Sequence, residues 1–206
     1  MSFYENHILP PLIAYACSQP QVMKKRSQVV PAAAGRVLEI GFGTGTNLEF
    51  YDAARVERLF ALEPSQAMRK KAQFAVAQSP LDIEWLDLPG EEIPLPDNSV
   101  DTVVLTYTAC TIPGVETALS QMRRVLKPGG RLLFSEHGAA PDPGVAKWQR
   151  RIEPVWKPIA GGCHLTRRPD QLIEQAGFRI HRMDTGYLPR SPKFAAFNYA
   201  GSASPA

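Results

Sequence analysis

The sequence predicts an α/β fold, a mostly parallel sheet covered on both faces by helices. Three observations carry that prediction. Short apolar runs alternate with amphipathic stretches from residue 36 to residue 137, the order of elements that builds parallel sheets. The first run, RVLEI at 36–40, opens directly into the glycine turn GFGTG at 41–45. The alternation closes on RLLFSEH at 131–137, after which Pro, Trp, Arg and Gly dominate.

The first 35 residues read as a helical preface ending at VVPAAAG. RVLEI is too short for a helix and lies between Gly35 and Gly41, so it reads as a buried strand. Thr46 is placed to cap a helix through Tyr51, and RLFAL (58–62) is the second strand. Ser65 caps the helix SQAMRKKAQFAVAQ, which Pro80 closes. LDIEWL (81–86) is a third strand, DLPGEEIPLPDNS (87–99) a loop and VDTVVLT (100–106) a fourth strand. Val115, Leu119, Met122 and Leu126 recur at helical intervals, KPGG (127–130) stops that helix, and RLLFSEH is the fifth strand. Residues 141–169 hold helical pieces without a clear period, and PDQLIEQAG (169–177) is a helix ending at a glycine. FRIHRMD (178–184) and FAAFNYA (194–200) read as an antiparallel edge hairpin, and GSASPA (201–206) as a disordered tail. No repeat or linker interrupts the chain. The reading is a single domain over 1–206, with a helical segment at 1–35 and a substrate-side insert at 138–170.

Composition narrows the function. The chain has 206 residues, 44% of them hydrophobic, and a net charge of +3. That charge is too small to imply a nucleic-acid partner. The triplet KKR at 24–26 reads as a solvated helix face. Cys17, Cys110 and Cys163 are scattered and odd in number, so neither a disulfide framework nor a metal site is expected. The start of the chain lacks a signal-peptide pattern and no apolar run is long enough to cross a bilayer, which makes the cytoplasm the expected compartment.

The glycine turn discriminates among ligands. A P-loop requires a lysine after its last glycine, and here Gly45 is followed by Thr46 and Asn47. The dinucleotide fingerprint needs its third glycine at position 46, which is Thr, so a dinucleotide is disfavoured. S-adenosylmethionine (SAM) carries a carboxylate, an ammonium, a ribose and an adenine. Free backbone N–H groups of the turn suit the carboxylate, Glu39 the ammonium, and Glu63 at the end of the second strand the ribose hydroxyls. The competing reading is a tight turn beside two surface carboxylates.

VLEIGFGTGTN, ALEPSQAM, IPLPDNSVDTVV and RVLKPGGRLLFSEH resemble, in that order, the class I SAM-dependent methyltransferases over roughly residues 35–137. The resemblance implies a Rossmann-like three-layer sandwich with a seven-stranded sheet, its last strand antiparallel. It implies SAM as cofactor and S-adenosyl-L-homocysteine as product. It places Gly41, Gly43 and Gly45 at the methionine end, with Thr44 and Asn47 in the same turn. Glu63 goes to the ribose, with Pro64 also a cofactor-binding residue, Gly90 and Glu91 lie near the adenine, and Thr106 and Tyr107 beside the sulfonium. Relatives often have an acid just before the Gly90–Glu91 pair, where this chain has Pro89.

The acceptor is expected to be a small molecule. The segment TYTACTIPG (106–114) lacks the Asn/Asp-Pro-Pro-aromatic turn of enzymes that methylate base or amide nitrogen. SEHG and WQRRIEPVWKPIAGGCHLTR (148–167) resemble the thiol S-methyltransferase-like branch of the family. Its animal members sit on endoplasmic-reticulum membranes and methylate small alkyl thiols, and carry an apolar N-terminal anchor that this sequence is expected to lack. The loop 87–99 also resembles quinone-biosynthesis enzymes. An O- or C-methyltransferase of a quinone-like or lipid-like molecule is therefore the runner-up. A nicotinamide-dependent oxidoreductase and a non-catalytic SAM-binding module are the rivals of other classes. Trp148, Trp156, Tyr107 and Cys110 are candidates for an apolar acceptor mouth. His137 and Tyr107 are the catalytic candidates, His137 as proton acceptor with His164 second, and Cys163 reads as a packed thiol.

Overall fold

The computed structural model describes residues 4–206; residues 1–3 of the N-terminal segment lie outside the described residues. The described part of that segment is helical. It folds into α1 (Leu9–Cys17) and α2 (Pro20–Val29), each opening on a proline in its first turn, where the missing N–H costs no hydrogen bond. The alternating part follows as β1 (Gly35–Ile40), β2 (Val56–Leu62), α3 (Gln66–Gln78), β3 (Ile83–Leu86), β4 (Val100–Thr106), α4 (Val115–Val125) and β5 (Leu126–His137). The chain ends as α5 (Pro143–Ile159), α6 (Pro169–Gln175), β6 (Phe178–Tyr187), α7 (Lys193–Ala196) and β7 (Phe197–Pro205).

These strands make one seven-stranded sheet in the order β3-β2-β1-β4-β5-β7-β6. All pairs are parallel except those of β7, which runs antiparallel to both β5 and β6. Because side chains alternate along a strand, β1 feeds two cores. Leu38 and Ile40 join Phe60, Leu105 and Leu119 on one face, while Val37 joins Leu59, Ala61 and Val104 on the other. Val115, Leu119 and Met122 of α4 are buried against the first core, as their spacing predicts. Ser65 caps α3 by accepting the N–H of Met68.

Four local readings are corrected. Residues 46–51 form no capped helix, only one 3₁₀ turn at Leu48–Phe50. The side chain of Asn47 is drawn into the interior, which turns the chain away from a regular helix. The fifth strand begins earlier than expected: α4 stops at Val125, before Pro128, and Leu126 with residues 127–130 already belongs to β5. FAAFNYA begins as the helical turn α7 and only then enters β7. Residues 201–205 are ordered strand, because β7 is hydrogen-bonded on both sides. Gly201 makes that closeness possible, since a Cβ there would lie 2.0 Å from the carbonyl oxygen of Arg182. Among the described residues, no helix is long and apolar enough to cross a membrane.

Candidate active site

A cavity of about 300 Å³ opens at the carboxyl ends of β1, β2 and β4, where open α/β sheets bind ligands. Its floor is the turn after β1. Gly41 has φ +69°, and a Cβ there would lie 2.3 Å from Thr108, so only glycine fits. At Gly43, with φ +61°, the nearest obstacle to a Cβ is the carbonyl of Gly41 at 3.8 Å, so the space in front of this residue is open. Glu63 follows β2 and braces the turn: its Oε2 accepts the Gly43 N–H at 2.8 Å and its Oε1 the Ser65 N–H at 2.9 Å. Burial pushes its carboxyl above the usual carboxylate range. Gly41, Gly43, Thr44, Glu63 and Pro64 line this side of the cavity, and Gly90 and Glu91 another. Glu91 is held there by accepting the Gly114 N–H at 2.9 Å. Thr106 and Tyr107 line the wall after β4, and Leu9, Pro10, Ile13 and Ala14 of α1 form an apolar roof.

A buried polar network supports this floor. Glu39, 1% exposed, accepts hydrogen bonds from the Asn47 amide at 2.9 Å and the Tyr51 hydroxyl at 2.6 Å. Burial pushes its carboxyl up to about 7. Arg26 lies 4% exposed in the same network, donating to Asn47 Oδ1 at 2.8 Å and Thr106 Oγ1 at 2.6 Å, with its guanidinium 5.1 Å from the centre of the Tyr107 ring. The reading of KKR as a solvated face is therefore corrected at Arg26. Among the described residues it is the only cation lining the cavity. The linear context of a Lys-Lys-Arg triplet hides it, although Arg26 falls four residues after the buried Val22 on the inner face of α2. Glu39, Gly45 and Asn47 stand behind the cavity wall rather than on it.

The loop after β4 is fastened from below. Glu136 accepts the N–H groups of Thr108 at 2.8 Å and Ala109 at 3.2 Å, and burial pushes its carboxyl up to about 7. Tyr107 sits at φ +54°, and its hydroxyl accepts hydrogen bonds from Asn198 and Ser135. Burial pushes that phenol up to about 12.

The structure does not bring the expected acceptor residues to this cavity, apart from Tyr107. His137 Nε2 lies 3.2 Å from Cys163 Sγ, and His164 Nδ1 lies 3.1 Å from Glu153 Oε1. Trp156 stacks edge-on with Phe194, 5.5 Å between ring centres, and Trp148 is 62% exposed on α5. Cys110 is buried behind the wall. Sequence reasoning also passed over the α1 roof, whose apolar residues carried no motif.

A glycine turn, an acid at the end of the second strand and a cavity at the switch from β1 to β4 define a class of nucleotide-type binding site on a Rossmann-like sheet. The methyltransferase domain family matches residues 38–134. The human thiol S-methyltransferase TMT1B is 39% identical over 158 residues, 74% of this chain and 64% of that protein. Human thiol S-methyltransferase TMT1A is 34% identical over 152 residues, 72% of this chain and 62% of that protein. The matched stretch thus spans less than two thirds of these relatives' lengths. In fold, the chain is similar to a SAM-dependent methyltransferase from Mesorhizobium loti, with a TM-score of 0.62 at 18% identity, covering 90% of this chain and 98% of that one. Residues 38–134 thus belong to the methyltransferase domain family. The family and fold imply SAM as cofactor, and the residues fit it. Open space fronts Gly43, a carboxylate stands at the end of β2, and the Nε of Arg26 is buried without a partner beside the cavity.

Proposed function

We propose that the protein methylates the sulfur of a small apolar thiol in the cytoplasm. One observation carries the reading: the cavity that holds the cofactor residues is roofed by the apolar residues of α1 rather than by a charged or open surface. The names of the human relatives support sulfur as the acceptor atom. Bound SAM supplies an activated methyl group on its sulfonium. The backbone of residues 41–45 and the guanidinium of Arg26 hold the carboxylate end. Glu63 accepts the ribose hydroxyls, and Pro64, Gly90 and Glu91 flank the adenine. Leu9, Pro10 and Ile13 exclude water from the reacting sulfur, and the loop 107–113 orients the acceptor against the methyl group, where alignment is the main demand. Neither His137 nor His164 lines the cavity, so the acceptor reacts as the thiolate that solution supplies.

Labelled SAM with a panel of acceptors tests this. Turnover is expected with a small alkyl thiol, rising about tenfold per pH unit below the thiol's own pKa, with none on oligonucleotides. Methylation of a phenol or quinol but of no thiol would replace sulfur by the quinone-like acceptor.

A further inference from the structure

Cys110, His137 and Cys163 come from three separate places: the loop after β4, the end of β5 and the connection between α5 and α6. Their ligand atoms nevertheless all lie within 4.8 Å of one another. The backbone fixes this meeting. The N–H of His164 donates to the carbonyl of Cys110 at 2.9 Å, tying the two cysteine-bearing segments together. Gly161 and Gly162, at φ +61° and +87°, form the turn that aims Cys163 inward. Both thiols are buried and free, and Cys163 Sγ lies 3.2 Å from His137 Nε2. The other ring nitrogen, Nδ1, is buried with no partner, so no backbone carbonyl commits the imidazole to a purely structural hydrogen bond.

Zinc binds thiolate sulfur at about 2.3 Å and imidazole nitrogen at about 2.0 Å, so tetrahedral ligand atoms stand roughly 3.5–3.8 Å apart. That spacing falls inside the range seen here, and small side-chain rotations reach it. We propose that Cys110, His137 and Cys163 form a binding site for a soft divalent cation of the zinc class. On binding, each thiol loses its proton to solvent, and two thiolates with a neutral imidazole balance a charge of +2 in a buried place. The fourth position is left for water. Hard cations such as magnesium, which take oxygen ligands, are excluded by the donor set. The cation ties the loop that supplies Thr111, Ile112 and Pro113 to the cavity to the turn that supplies Gly161. The inference does not depend on which acceptor is methylated.

The test is a cobalt(II) titration of the reduced, metal-stripped full chain under nitrogen. One cobalt per chain is expected, with thiolate-to-cobalt charge-transfer absorption and tetrahedral visible bands that zinc abolishes. Cys163→Ser, Cys110→Ser and His137→Gln should each weaken binding at least ~10-fold, since even changes around ligands have that effect. Cys17→Ser should leave it unchanged. Zinc should also raise the melting temperature of the wild-type chain, a readout that requires no variant. Absence of the charge-transfer band in folded wild-type protein, or an undiminished band with wild-type affinity in Cys163→Ser, overturns the proposal. So does a chain that forms a Cys110–Cys163 disulfide on reoxidation, seen as the loss of two hydrogens in mass, and after reduction binds no cobalt.

Discussion

The guanidinium of Arg26 donates to the hydroxyl of Thr106 at 2.6 Å, fastening α2 to the end of β4 at the cavity wall. The same nitrogen reaches Asn47, whose amide in turn serves Glu39, so one cation holds together three segments around the binding floor.

Replacing Arg26 by Met keeps the length of the side chain and removes the charge. Hydrogen bonds to charged groups contribute about 1.5–3 kcal/mol each, so stability to urea should fall by about 2–3 kcal/mol. SAM affinity should fall at least ~10-fold as well. Unchanged affinity in the folded variant would remove Arg26 from the carboxylate end of the ligand.

Glu63 is the next test. Its carboxylate accepts two backbone N–H groups and still faces the cavity. Loss of one charge-assisted hydrogen bond to the ribose amounts to at least ~10-fold in Kd, so isothermal titration of Glu63→Ala with SAM should show a shift of that size or more. Wild-type affinity would mean that the ribose lies elsewhere.

Glu39 makes stability depend on pH. Burial raises its carboxyl from 4.5 to about 7, against the hydrogen bonds of Tyr51 and Asn47 and the charge of Arg26, which lower it, while Glu63 pushes it the same way as burial. Since the folded value lies above the unfolded one, the folded chain keeps this proton longer. Its stabilising contribution is complete below pH 4.5 and is lost as pH rises through about 7. The size is about 3 kcal/mol. Urea unfolding should show a less stable wild type near pH 8 than near pH 5, and a smaller difference in Glu39→Gln. An equal difference in the variant would show that Glu39 ionises normally.

Gly201 reports on the last strand. A side chain there meets the carbonyl of Arg182 and the ring of Phe134. Gly201→Val should cost at least ~1–3 kcal/mol, the usual penalty of overpacking, read as a lower melting temperature. A variant as stable as wild type would detach residues 201–205 from the sheet.

The first five strands were legible because each is an apolar run with a glycine, proline or charged border, and because the βαβ order leaves few topologies. Gly43 and Glu63 were legible for a related reason: a ligand on such a sheet meets the turn after β1 and the end of β2. Arg26 was not, since a cation inside a basic triplet looks solvated until α2 is seen turned toward β4. The strand in GSASPA was hidden by its small residues, which read as disorder alone but are what a strand squeezed between two others requires. His137 was legible as the end of β5, whereas its neighbour Cys163 is a product of tertiary structure.

The placement of β7 also bears on how the chain is made. In a sheet ordered β3-β2-β1-β4-β5-β7-β6, the sixth strand leaves the ribosome before the strand that separates it from the fifth. Until β7 emerges, β5 presents an open edge, and β6 has no native partner in the sheet. Completion of the sheet therefore waits for β7, which slides between two neighbours already made. A nascent chain stalled before residue 197 would expose two unpaired edges, the kind of surface that invites association between chains.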